Sequence, residues 1–277
     1  MLNIYALYDI DLSFFSNPVN LEQLSVNVRT DAHVALIGSV GSNLKKLELS
    51  LKSTIISELL EVDSLDDDDF SAHLPVLPET VRNMQPLQAL SKLKHLELIS
   101  EVEDISFLAG LLNLETLILD IRCEDPVCNL SSLRGLRRLK TLFIKINNSI
   151  HDITPLADLQ SLESLDLIEF IDVQDFSPLR SLKNLRKLQL YCSSIEDLSV
   201  LNSLTELRFL SVTSDDACKA GLPDLRKLRT LDISRTNIKD IASLRKIPNL
   251  ELHWRGQLDH ISKFFPVGNL DRRSLVV

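Results

Sequence analysis

The sequence predicts an α/β solenoid, a chain wound into short stacked repeats, and two observations carry that prediction. The first is self-similarity. The leucine that opens an LxxLxL string recurs at Leu93, Leu114, Leu139, Leu162, Leu185, Leu207 and Leu228, with gaps of 21, 25, 23, 23, 22 and 21 residues, and earlier copies open at Leu21 and Leu44. The second is a change of period inside each copy. In "DITPLADLQSLESLDLIEF", residues 152–170, Leu156, Leu159 and Leu162 are three apart, whereas Leu165 and Leu167 are two apart. A period of three buries one side of a 3₁₀ turn, where residues i and i+3 eclipse, and a period of two buries one side of a strand. A single repeat leaves two apolar edges bare, so only stacking buries its leucines.

Taken in order, residues 1–20 carry Leu2, Ile4, Leu7, Phe14 and Phe15 and are expected to cap the first repeat, although "LNIYALYD" is itself a candidate strand. The repeats fill residues 21–255. Leu44 and Leu93 are 49 residues apart, about two repeat lengths, so the stretch from 53 to 86 holds a degenerate repeat or an insertion. Its "SELLEV" start suits a short helix, and the run Asp66–Asp69 reads as a solvated loop. Copies of one pattern then follow: "DISFLAGLLNLETLILD" from Asp104, "DFSPLRSLKNLRKLQLY" from Asp175, "DLSVLNSLTELRFLSVT" from Asp197 and "DIASLRKIPNLELHW" from Asp240. In the last of these the strand reads "LELHW", the wear expected at the end of a stack. Residues 256–277 are expected to form a cap and tail, with Ile261, Phe264 and Phe265, joined by Trp254 from the end of the last repeat, placed to cover that repeat.

These copies resemble the leucine-rich repeat family, and the short DIxxL-type pattern resembles its internalin-like and Sds22-like subclass. The resemblance implies a right-handed horseshoe with a parallel β-sheet on the concave side and 3₁₀ or irregular turns on the convex side. One feature departs from the family pattern. In most copies the asparagine expected after LxLxx is absent, and Arg122, Ser193 and Thr236 occupy such positions. Hydroxyls there are able to satisfy turn backbone groups.

Composition excludes several function classes. The net charge of −9 disfavours nucleic acid and anionic membranes, which reward clustered Lys and Arg, and leaves a basic protein face as the expected target. Seven glycines with no GxGxxG or GxxxxGK[ST] string offer no phosphate-cradling loop. With no long apolar run and acidic Asp9 and Asp11 near the start, the chain is expected to be soluble and cytoplasmic. Cys123, Cys128, Cys192 and Cys218 show neither a CxxC pair nor metal-ligand spacing and read as reduced thiols, with a Cys123–Cys128 disulfide as the alternative.

No catalytic constellation emerges, and no cofactor or metal site is expected. "CED" at Cys123–Asp125 matches the Cys-x-Asp string of a bacterial ubiquitin-ligase class, but that chemistry needs a separate helical domain. "LPETV" at Leu77–Val81 has valine where a cell-wall sorting signal needs glycine, and the Asp66–Asp69 run lacks the alternating ligands of a calcium loop. The terminal "LVV" suits a sheet-edge peptide pocket.

The face that remains is the outward side of the strands. With the leucines of LxL pointing inward, Ile99, Ile118, Phe143, Ile168, Tyr191 and Phe209 point outward as an apolar and aromatic strip. Asp120, Lys145, Asp166 and Lys187 form a charged rim that sets partner choice. Strands lie about 4.8 Å apart, so Ile118 should meet Phe143 and Ile168 should lie beside Tyr191. The expectation is a non-enzymatic module that holds a protein partner there, as a bacterial effector, adaptor or immunity-type inhibitor. A regulatory subunit that changes a partner enzyme's turnover is the alternative, and β-propensity alone would also place Ile, Phe and Tyr on a sheet face.

Overall fold

The structure, a computed structural model, describes residues 2–3, 21–28, 30–50, 81, 83–102, 104–122, 129–146, 150–170, 172–192, 195, 198–214, 224–236, 244, 247, 250–253 and 275–276. The acidic run, the Cys123–Asp125 string, most of the N-terminal cap and the aromatics from Trp254 to Phe265 lie outside them.

The strands are β1 (Leu2–Asn3), β2 (Gln23–Asn27), β3 (Lys46–Ser50), β4 (His95–Glu101), β5 (Thr116–Arg122) and β6 (Thr141–Ile146). They continue as β7 (Ser164–Ile168), β8 (Lys187–Cys192), β9 (Phe209–Ser214), β10 (Thr230–Arg235), β11 (Glu251–His253) and β12 (Leu275–Val276). All twelve lie in one parallel sheet in chain order. β3 pairs directly with β4, Lys46 opposite His95 and Glu48 opposite Glu97, although 49 residues separate each pair. At the far edge, Leu275 and Val276 of the tail pair with Leu252 and His253, so these two residues add a strand to their own sheet.

Six of the leucine runs before strands fold as 3₁₀ turns: Gln85–Ala89, Ser106–Gly110, Leu130–Gly135, Thr154–Asp158, Ser177–Ser181 and Leu198–Ser203. Between β2 and β3 stands α1 (Asp31–Val40), a true helix. "DAHVALIGSV" begins on Thr30, whose side chain accepts from the His33 N–H, and buries Val34 and Ile37. Leu156, Leu159, Leu162, Leu165 and Leu167 are all sealed from solvent, as period three followed by period two requires.

Two polar devices fasten the turns. The aspartate of the DIxxL pattern accepts from the backbone N–H two residues on, Asp104 from Ser106 at 2.7 Å, Asp152 from Thr154 at 2.7 Å and Asp175 from Ser177 at 2.8 Å. Asn129 does the same for Ser131 at 3.0 Å. An asparagine before the LxxLxL string then ties one repeat to the previous one: Asn113 donates to the Ser91 carbonyl at 2.7 Å and Asn184 to that of Gln160 at 2.9 Å. In the copies that place Arg122 and Ser193 after LxLxx, an asparagine on the other side of the strand thus ties the repeats. Thr236 uses its hydroxyl locally, donating to the Ile233 carbonyl at 2.9 Å.

Candidate binding face

The register aligns three outward columns across the concave sheet. The central one runs Ser25, Glu48, Glu97, Ile118, Phe143, Asp166, Gln189, Ser211, Asp232 and His253. Ile118 and Phe143 are direct neighbours and half-buried, an apolar ridge near the middle of the sheet. In the following column Ile99 stands opposite Asp120, and Lys145 opposite Ile168. The β7–β8 ladder stops at Leu167 and Leu190, one pair short of Ile168 and Tyr191. Just past Ile168, Glu169 takes φ 66° and the Phe170 N–H donates to the Tyr191 carbonyl at 3.1 Å, so the regular register breaks there while a bond to β8 persists.

The charged residues are arranged as cross-strand pairs. Lys145 lies 3.6 Å from Asp120. Lys187 lies 2.8 Å from Asp166 and also 5.8 Å from the centre of the Phe209 ring, a cation–π contact. Asp166 is nine-tenths buried, and its Oδ1 has no hydrogen-bond partner. A residue expected on an exposed rim is therefore the most enclosed carboxylate of this face. On the described concave positions Glu48, Glu97, Asp120, Asp166, Asp232 and Glu251 outnumber Lys46, Lys145 and Lys187.

Toward the N-terminal end a polar cluster lies that the sequence reading missed. An imidazole nitrogen of His95 and carboxylate oxygens of Glu48 and Glu97 lie within 4.8 Å of one another. Lys46 holds Glu48 at 2.6 Å, and that hydrogen bond keeps the Glu48 carboxyl below its usual range. Burial pushes the His95 imidazole down, helped by the Lys46 charge. Beside the cluster opens a recess lined by Ser25, Ser50, Glu48, Glu97 and Ile99. Aligning the copies column by column would have brought these residues together, because Glu48 and Glu97 share one column and Lys46 and His95 the next.

No family model matches the chain, and no curated protein matches it. Among solved structures, an internalin of Listeria monocytogenes superposes with a TM-score of 0.58 at 22% identity, over 90% of this chain and 70% of that one. The fold is a leucine-rich repeat solenoid. Internalin C2 of the same organism is 29% identical over 64% of this solenoid and 75% of its own chain, with a TM-score of 0.47. A leucine-rich repeat protein of Leptospira interrogans is 17% identical, covering 84% and 71% of the two chains, with a TM-score of 0.36. Neither of these two superposes closely enough to bear on the fold. No helix among the solenoid's described residues is long and apolar enough to cross a membrane.

Proposed function

We propose that the chain is a non-enzymatic interaction module that holds one protein partner, through a basic surface of that partner, on its concave face. The observation that carries this reading is the placement of exposed apolar side chains. Three large hydrophobic residues are exposed among the described ones: Ile99 and Tyr191, each 38% accessible, stand on this face, flanking the Ile118–Phe143 ridge, and Leu112 lies outside the strands. Apolar anchors among charges are the composition of a protein interface, and aromatic anchors contribute much of its binding energy. The excess of carboxylates supports a basic partner and a fast, steered encounter.

The test is affinity capture from the host lysate with wild type and with Phe143→Glu/Tyr191→Glu, both checked for folding by circular dichroism, followed by titration of the captured protein. Loss of the partner with the double variant, and weakening of wild-type binding as salt rises, are expected. Equal capture by both proteins would overturn the concave site, and salt-independent binding would overturn the basic partner. Measuring the partner's own activity with and without the chain then separates an immunity-type inhibitor or regulatory subunit from an adaptor.

A further inference from the structure

We propose that Glu48, His95 and Glu97 form a binding site for a transition-metal dication, with Zn²⁺ as its representative ion. Three features of the cluster argue for a cation there. First, Glu48 and Glu97 face each other in register on β3 and β4, and like charges directly opposite across a ladder repel unless something positive lies between them. Lys46 answers only part of this, because its 2.6 Å contact is with Glu48. Second, the chemistry of the donors is right: one imidazole and two carboxylates suit Zn²⁺ and its neighbours better than Mg²⁺ or Ca²⁺, which prefer oxygen alone. Third, buried polar atoms normally have partners, yet His95 Nε2 and Gln23 Oε1 have none, and Gln23 and His95 flank Lys46 in adjacent register positions.

The geometry needs little change. Bonds of about 2.0–2.2 Å set tetrahedral ligands about 3.4 Å apart, so donors now within 4.8 Å close around an ion by rotation of the glutamate side chains. His95 and Glu97 are two residues apart on one strand and therefore share its outward face, while β3 fixes Glu48 opposite. Three protein donors leave a coordination position open toward the concave side, for water or a donor from a bound partner. Lys46 is the competitor, since its ammonium must leave Glu48 for the ion to bind.

The experiment is a calorimetric titration of the metal-free, reduced full chain with ZnCl₂, repeated for Glu97→Gln, His95→Ala and Lys46→Met. One ion per chain is expected, with binding about tenfold or more weaker in Glu97→Gln and His95→Ala and tighter in Lys46→Met. Co²⁺ in place of Zn²⁺ should give the weak visible bands of nitrogen and oxygen ligands. Absence of binding, unchanged affinity in Glu97→Gln, or the intense near-ultraviolet charge transfer of a cobalt–thiolate bond would each overturn the site. Glu97→Gln keeps the side-chain shape on a half-buried surface position, so its result stands even where another variant misfolds.

Discussion

Asp166 shows how unequal the two members of one ion pair are. Its carboxylate is enclosed and has one oxygen on Lys187, whereas the lysine side chain is 39% exposed and able to hydrate. Removing the lysine strands a buried charge, while removing the aspartate frees a cation that water can solvate. We expect Lys187→Met to cost about 1–3 kcal/mol, reduced from the fully buried case by solvent screening, and Asp166→Ala to cost less. Urea unfolding of both singles and the double variant checks this, because the double should recover part of the Lys187→Met loss. The turn caps give a second test at this scale. Asn129 already fills the role that Asp175 fills, so Asp175→Asn should leave the neutral-pH midpoint nearly unchanged and remove the charge of that cap.

At the level of elements, α1 is the one convex element among the described residues built as a helix, and its packing depends on Gly38. A Cβ there would fall on the backbone carbonyl and Cβ of Pro86, in the 3₁₀ turn Gln85–Ala89. Alanine gains about 1 kcal/mol of helix propensity over glycine, but overpacking costs about 1–3 kcal/mol, and a backbone carbonyl cannot swing aside. Gly38→Ala should therefore lower the thermal midpoint. A solvent-facing glycine-to-alanine change in a helix would raise it, so the sign alone decides between tight and loose contact of α1 with the turn.

Stability of the whole molecule belongs to the stack. Each strand touches only its neighbours, so Leu142→Ala in β6, at a fully buried position, should cost about 2–5 kcal/mol and loosen strands on both sides. Leu252→Ala in β11 should fray only the C-terminal end, a contrast that hydrogen exchange resolves strand by strand. Acid should act globally. Lys94 and Lys140 hold Glu115 below the ordinary carboxylate range, the Thr154 hydroxyl and N–H do so for Asp152, the Ser177 N–H for Asp175 and Lys227 for Glu206. A carboxyl depressed in the folded state stabilises fully above its unfolded pKa of about 4 and loses that contribution as pH falls through the lower folded value. Urea midpoints should slip slightly from pH 7 to about 5, because the unfolded chain protonates His95 below about 6.5 while the folded imidazole resists the proton, and should drop further below about 4, with a shallower final drop for Asp175→Asn.

Leucine spacing by itself determined the repeats, the strand positions and the columns of the face, because burial in a stack leaves few arrangements for a three-then-two pattern. The Ile118–Phe143 contact follows from those columns alone. Other features depend on where neighbouring copies sit, which the spacing inside one copy does not encode. β3 met β4 across 49 residues, α1 replaced a 3₁₀ turn, and the β7–β8 ladder ended at Leu167 when Glu169 turned the backbone. The same holds for polar groups: Asp166 became enclosed, and Glu48, His95 and Glu97 converged, through side chains supplied by adjacent strands. Burial of an apolar residue is a property of its own column, whereas the state of a charge depends on every group within a few ångströms, and only the folded stack decides which groups those are.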